Sequence, residues 1–202
     1  MKSNTAGRRN SPALTEYALV NYGYSVLVSV FCLLSGQPFP FIPIQITLVD
    51  ACIEAYPSFL TILESDTRRI QGSFLKTALS HAMPFGLTVT AMTVMLSLTA
   101  PFSAAERQTV MYLLLIIISM AAVIKSCIPF TRLRAFICAT MALGTGCALL
   151  FFPALLEIQT VTLPMGLYTL SGSLLCLLLL LLLERIGKTF FSGNARIYSE
   201  AG

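Results

Sequence analysis

Long apolar stretches alternate with short polar segments along this chain, and six of the stretches are long enough to cross a membrane. A membrane-spanning helix needs about 20 mostly apolar residues. The pattern predicts spans over residues 17–35, 39–63, 79–100, 109–129, 133–152 and 163–183. Because the connections are short, we expect a single membrane domain over residues 1–202. The predicted fold class is therefore an all-α, polytopic membrane bundle of six transmembrane helices.

Composition agrees with a protein that lies within the lipid bilayer. Hydrophobic residues make up 56% of the 202 residues and charged residues 11%, against about 25% charged in soluble domains. The net charge of +4 does not indicate a nucleic-acid partner, because the basic residues lie in short loops and tails. No signal peptide is evident before the first apolar stretch, which we expect to be retained as a span.

The distribution of basic residues predicts how the bundle is oriented. Arg107 is the one lysine or arginine in the first, third and fifth loops between spans; the rest of the 13 lie in the other loops and the tails. Cytoplasmic loops carry the excess of lysine and arginine. Both termini are therefore predicted to be cytoplasmic, as an even number of spans requires.

The second span carries two carboxylates, Asp50 and Glu54, within an otherwise apolar run. Ionisable residues inside a membrane helix are costly and point to a functional site. Residues four apart share one helical face, and Pro43, Thr47 and Pro57 continue that face. The spacing predicts an oxygen-rich stripe on a helix whose other faces are apolar.

Proline adds a further source of oxygen ligands to this stripe. Pro57 has no N–H to donate to the carbonyl of Ile53, four residues back. A free carbonyl beside two carboxylates suits hard cations such as Ca²⁺, Mg²⁺ or Mn²⁺. Other polar side chains that could complete the pocket are Gln45 and Thr47 of the second span and Asn21, Tyr22 and Ser25 of the first.

Other interpretations of these residues stay open. The two acids could be protonated, or paired with a tyrosine, and serve only to pack the bundle. They could also carry protons without a metal. The tyrosines of the first span could form a belt at the membrane interface.

The remaining motifs favour packing. None of the six cysteines is at CxxC spacing, so neither a disulfide framework nor a zinc site is expected. Gly144-Thr-Gly146 lies within the fifth span. It lacks the third glycine and the strand of a dinucleotide-binding motif, so we expect it to serve helix packing.

Part of the chain resembles a known family. Leu34-Ser-Gly-Gln-Pro38 and Ile42-Pro-Ile-Gln-Ile-Thr-Leu-Val-Asp-Ala-Cys-Ile-Glu-Ala-Tyr-Pro57 resemble the fifth-to-sixth transmembrane hairpin of P-type cation-transporting ATPases. The likeness is greatest to bacterial members related to calcium pumps. Residues 62–74 resemble the cytoplasmic connection that follows, and the last four spans fit in number and orientation. The resemblance implies the fifth to tenth helices of such a pump, in a bacterial plasma membrane.

The resemblance also implies a set of ligands. Asp50 and Glu54 stand where the family's sixth helix carries an Asn and an Asp, and Ile53 replaces a Thr. Tyr22 and Ser25 occupy the positions of an Asn and a Glu on the fifth helix, with Asn21 adjacent to the first. The implied transported ion is a divalent cation, Ca²⁺ or Mg²⁺.

The chain does not contain the family's catalytic motifs. The Asp-Lys-Thr-Gly-Thr phosphorylation motif, the nucleotide-binding and actuator domains and a P-loop are all missing. We therefore expect no catalytic residue here, and ATP and Mg²⁺ to act only through an N-terminal catalytic part on the same or a separate chain.

The leading interpretation is the cation-translocating membrane domain of a P-type ATPase, as a fragment or part of a split pump. One alternative is a stand-alone regulatory or binding subunit of the membrane. Another is an ion or proton carrier that works without ATP.

Overall fold

The computed structural model describes residues 25–61, 74–128 and 130–199. Within these ranges every regular element is helical and none is a strand, which confirms the all-α prediction. Helix α1 covers Ser25–Ser35. Helix α2, Pro43–Leu48, continues through a π-helical segment, Val49–Ala55, into α3, Tyr56–Thr61. Four long helices follow: α4 (Phe74–Thr99), α5 (Ala104–Ser126), α6 (Arg132–Phe151) and α7 (Leu163–Ser199).

Three stretches of the described chain are long and apolar enough to cross a membrane: Ala104–Lys125, Arg132–Phe151 and Leu163–Leu183. They correspond to the last three predicted spans. Two shorter apolar helices, Ser25–Ser35 and Met83–Thr99, lie within the first and third predicted spans. The part of the first span over residues 17–24 lies outside the described residues. The arrangement of six spans with cytoplasmic termini stays a prediction.

Helix α5 begins five residues before the span predicted to start at residue 109, because Ser103 caps it. The Ser103 hydroxyl accepts a hydrogen bond from the Glu106 N–H (3.4 Å), and the Ser103 N–H donates to Glu106 Oε2 (3.0 Å). This reciprocal pair satisfies backbone donors that the first helical turn leaves without partners. The polar segment before the span is therefore the first turn of the helix.

Arg107, near the beginning of α5, connects this helix to the end of α4 by hydrogen bonds. Its Nη1 donates to the Ser97 carbonyl (3.1 Å) and its Nη2 to the Phe102 carbonyl (3.4 Å). Carbonyls at the end of a helix lack intrahelical donors, so a guanidinium is well placed there. This accounts for the one arginine in a loop that is otherwise free of basic residues.

Helix α5 is the centre of the packing. It contacts α4 and α7 and also the π-helical segment, while α6 packs on α3 and on the π-helical segment. Gly172 allows α7 to pack closely on α5, because a Cβ at this position would lie 3.2 Å from the Leu114 side chain. Gly144 and Gly146 have open space where a Cβ would lie, so the expectation that they serve close packing is not met among the described residues.

The loop between α6 and α7, residues 152–162, joins two of these helices. Gln45 is fully buried, and its Nε2 donates to the Leu156 carbonyl (2.8 Å) while its Oε1 accepts from the Ile42 N–H (3.3 Å). Three residues further on, the Gln159 N–H donates to Thr109 Oγ1 (3.1 Å). The loop therefore holds the beginning of α2 against the beginning of α5.

Large apolar side chains remain exposed along α6 and α7. An exposed apolar surface of this extent marks a membrane or protein contact, and these are helices long enough to span. The outward-facing side chains are Phe136, Leu143, Leu150, Leu163, Leu167, Leu170, Leu174, Leu178 and Leu181.

We predict that Glu157→Asn stabilises the fold. Glu157 is exposed and has a φ of 51°, a left-handed conformation that costs an L-residue about 1–2 kcal/mol and that Asn tolerates better. The thermal unfolding midpoint in detergent should rise by roughly 2 °C. Glu157→Val, which is β-branched, should lower it. Equal midpoints for the two variants would contradict this account.

We also predict that Gln45→Met destabilises the protein by about 1–3 kcal/mol, because the buried Leu156 carbonyl loses its donor. Amide hydrogen exchange within residues 152–162 should become faster. Gln159→Met is the matched control, since only the backbone N–H of Gln159 donates to Thr109. A control variant that loses as much stability as Gln45→Met would refute the role given to the amide side chain.

Candidate cation site

The π-helical segment interrupts the second helix between two prolines. Pro43 occupies the first position of α2, where its missing N–H costs nothing and its fixed φ favours helix initiation. Pro57 lies at the second position of α3. Between them, Val49–Ala55 bonds in the wider register, and the Tyr56 N–H donates to the carbonyl of Ala51, five residues back. Single π-helical turns within α-helices often mark functional sites.

The register change determines which carbonyls lose their helical donors. The next donor in the π register would be position 57, for the Cys52 carbonyl, and Pro57 has no N–H. Where α3 returns from i−5 to i−4 bonding, one more carbonyl is left without an N–H partner in the helix, and it is that of Ile53 or of Glu54. The interruption therefore leaves two carbonyls without a helical N–H, one more than a proline in a regular helix would.

The structure brings the two predicted carboxylates together on this segment. Asp50 and Glu54 are both half-buried, on the flank of the helix next to the fully buried Val49 and Ile53. They lie close enough to interact electrostatically. The carbonyls between them in sequence are those that the interruption affects. This juxtaposition of carboxylate and carbonyl oxygens is the central feature of the candidate site.

Thr47 is placed differently from the two acids. It is exposed, and its hydroxyl donates to the Pro43 carbonyl at 2.9 Å. Pro57, at the other end of the predicted stripe, is buried. The π register changes the angle between successive residues, so the oxygen-rich stripe expected at α-helical spacing is divided between the surface and the interior.

The first-span residues fall at the edge of the described chain. Ser25 begins the described part of α1 and is half-buried. Asn21 and Tyr22 lie outside the described residues, so their part in the pocket stays a prediction.

The flank of the π-helical segment opposite the acids faces α6. There the Tyr56 hydroxyl and Thr140 Oγ1 share a hydrogen bond of 2.8 Å. Cys52 is half-buried on the same flank, close enough to the Tyr112 hydroxyl of α5 for an electrostatic interaction. Hydroxyl groups therefore surround this side of the segment, whereas the acids are on the other.

Sequence reasoning missed Tyr112 and Thr145. Tyr112 is 0% exposed and Thr145 1% exposed, and neither hydroxyl has a hydrogen-bond partner in the described structure. Both residues lie in apolar runs with no neighbouring acid or proline, so nothing in the sequence distinguishes them from interface or packing residues. Their burial follows from how α5 and α6 pack on the second helix.

The chemistry available favours hard cations. In the described ranges no three His, Cys, Asp and Glu side chains come together as a metal cluster, so a bound cation would depend on backbone and hydroxyl oxygens besides the two acids. None of the six cysteines forms a disulfide in the described structure. Oxygen ligands of this kind suit Ca²⁺, Mg²⁺ and Mn²⁺ better than softer metals.

Comparison with known proteins identifies a relative that is named as a cation-transporting ATPase. A probable cation-transporting ATPase of Streptococcus pneumoniae serotype 4, exp7, is 32% identical over 173 residues. The match covers 77% of this chain and 22% of that protein, so the chain spans about a fifth of the length of this relative. The similarity supports a membrane region related to P-type ATPases, as the sequence motifs imply. No protein-family model and no solved structure matches the chain.

We predict that deletion of Ala55 weakens divalent-cation binding at least tenfold. The deletion restores a continuous α-helix, removes one of the two free carbonyls and keeps Asp50 and Glu54 four residues apart. Ala55 is exposed, so little packing is lost, and the thermal midpoint should not fall. Mn²⁺ binding to the purified chain, followed by electron paramagnetic resonance, would measure the effect.

The matched control is Ala55→Ser, which keeps the π register and should bind as the wild type does. Unchanged Mn²⁺ affinity in the deletion variant would show that the interruption plays no part in binding.

Proposed function

We propose that this chain is the cation-translocating membrane domain of a P-type ATPase of the calcium-pump-like group. In this proposal it forms six spans in a bacterial plasma membrane, with both termini in the cytoplasm. It carries a divalent cation, Ca²⁺ or Mg²⁺, through the second span. ATP hydrolysis takes place in a catalytic part on the same polypeptide or on a separate chain.

One observation carries the proposal: the two acids of the second helix lie on a π-helical interruption bounded by prolines. Discontinuous membrane helices with unwound carbonyls are where transporters hold their ions. The residues proposed to hold the cation are Asp50, Glu54 and the carbonyl of Ile53 or its neighbour. Thr47, Asn21, Tyr22 and Ser25 are proposed to line the route to them.

Transport requires that the cation be bound more tightly in one state than in the other. The free carbonyls provide a physical basis for such a difference, because their number depends on the backbone register. In the π register the acids have additional oxygen ligands beside them. A shift toward the α register would withdraw a ligand and favour release.

We predict that Asp50→Asn and Glu54→Gln each weaken divalent-cation binding to the full chain by more than tenfold, because each removes a negative ligand from a partly buried site. Isothermal titration with Ca²⁺ and Mg²⁺ in lipid nanodiscs would measure the affinity. Glu157→Gln removes an exposed carboxylate elsewhere in the described chain and is the control. Wild-type affinity in both acid variants would refute the proposal.

Transport measurements separate this function from its alternatives. Proteoliposomes that contain the chain alone should show no cation flux without ATP; a flux that Asp50→Asn abolishes would instead establish an independent carrier. A complete pump carrying Asp50→Asn or Glu54→Gln should lose cation-dependent phosphorylation. Normal phosphorylation of both variants would favour a regulatory or binding subunit.

A further inference from the structure

We propose that an anionic phospholipid binds at the beginning of α6, with its phosphate at Arg132 and Arg134 and one acyl chain along the outward face of the same helix. The site rests on the charge and the exposed surface of α6. It does not depend on the divalent-cation function, because neither Asp50 nor Glu54 takes part in it.

The turn between α5 and α6 determines where the two arginines lie. Thr131 Oγ1 accepts a hydrogen bond from the Arg134 N–H (3.3 Å), and α6 begins at Arg132. On the other side of the turn, the Ile128 N–H donates to the Lys125 carbonyl (3.1 Å). Hydrogen bonds therefore fix both ends of the turn, and the two arginines stand in the first turn of a helix long enough to span the membrane.

The balance of charge at this end of α5 and α6 is positive. The sequence has no Asp or Glu between Glu106 and Glu157, and both of these acids lie at the other end of the two helices. Lys125, in the last turn of α5, adds a third positive charge, with its Nζ 5.9 Å from the centre of the Phe85 ring. The connection over residues 62–73 carries two acids and two arginines, so it does not change the balance. Basic residues beside a membrane span attract anionic lipids.

The outward face of α6 provides the place for an acyl chain. Residues at steps of four, three and four share one face of a helix, and the residues at this spacing are Arg132, Phe136, Ala139 and Leu143. All four are exposed. The small Ala139 stands between two large apolar side chains, which leaves room for a chain to lie against the helix. The charged position and the apolar positions are therefore aligned on one face.

Length and charge determine the class of lipid. An α-helix rises about 1.5 Å per residue, so Arg132 and Leu143 are roughly 16 Å apart along α6. This is about half of the hydrocarbon core of a bilayer, or one leaflet. Arginine binds phosphate by paired hydrogen bonds. A phospholipid with net negative charge matches the positive end of the helix better than a zwitterionic one, whose headgroup carries its own cation.

The test uses fluorescence quenching by lipids with brominated chains. The protein contains no tryptophan, so Phe136→Trp places a single reporter beside the proposed chain. In bilayers of phosphatidylcholine, brominated phosphatidylglycerol should quench this reporter at a lower mole fraction than brominated phosphatidylcholine does. The relative binding constant should favour phosphatidylglycerol by about 5- to 25-fold, the range expected for one or two basic residues at an anionic surface.

Charge variants in the Phe136→Trp background test the two arginines. Arg132→Gln combined with Arg134→Gln removes both charges but keeps the backbone N–H that Thr131 accepts, and the two lipids should then quench equally. Replacing both arginines by lysine keeps the charge and should retain the preference. The matched control is Arg8→Gln with Arg9→Gln, which removes the same charge from the N-terminal tail and should leave the preference unchanged.

A second reporter locates the site. Leu150 is exposed near the other end of α6, and in Leu150→Trp the two lipids should quench equally. The same preference at both reporters would show a general attraction of anionic lipid to the protein and overturn the proposal. Equal quenching of Phe136→Trp by the two lipids would also overturn it, as would a preference that survives the loss of both arginines.

Soluble glycerol phosphate separates a lipid from a free phosphate, because it carries the same anionic group without the acyl chains. At millimolar concentration it should leave the preference for phosphatidylglycerol unchanged. If it abolished the preference, the arginines would be a site for phosphate from solution, and the role given to the outward face of α6 would be refuted.

Discussion

The requirement that backbone carbonyls find hydrogen-bond donors inside a membrane determines most of what is distinctive in this structure. An α-helix meets the requirement by itself. The second helix does not, because Val49–Ala55 bonds five residues back and Pro57 has no N–H to give. The carbonyls left over must be satisfied from outside the helix. Asp50 and Glu54 lie on the segment where this deficit occurs.

The interruption is held at both ends by hydrogen bonds to other elements. Toward the beginning of α2, Gln45 donates to Leu156 in the α6–α7 loop. Toward α3, Tyr56 bonds to Thr140 on α6. Helix α5 packs on the segment between these points. A strained register persists only where the surrounding structure fixes it, and these contacts provide the fixed surroundings.

Much of the fold could be predicted from the sequence because lipid imposes simple rules on length and apolarity. The last three predicted spans match helices of spanning length, and Asp50, Glu54 and Pro57 identified the helix that is interrupted. The start of α5 could also have been predicted from the sequence. Ser103 and Glu106 have the spacing of a capping box, but their polarity favoured a loop.

The π register and the hydroxyl flank could not be predicted in the same way. Proline explains a missing donor but does not determine whether the backbone returns to i−4 or i−5 bonding. The segment packs on α5 and α6, and these contacts with distant parts of the chain are not visible in the sequence. Tyr112 and Thr145 have no polar neighbour in sequence that would mark them. Their significance arises from burial against a helix far away along the chain, and a single sequence contains no record of such contacts.

The two flanks of the π-helical segment differ in charge, and this difference has a mechanical consequence. In the proposed function a divalent cation is held on the flank of Asp50 and Glu54, while the other flank packs on α6 through Tyr56 and Thr140. A change of register would alter the carbonyl oxygens beside the acids and the packing against α6 together. Coupling between a bound ion and the surrounding helices requires an element with two arrangements that the ion biases. The segment between Pro43 and Pro57 has the physical properties of such an element, because a shift of one hydrogen bond redistributes its free carbonyls without breaking the helix.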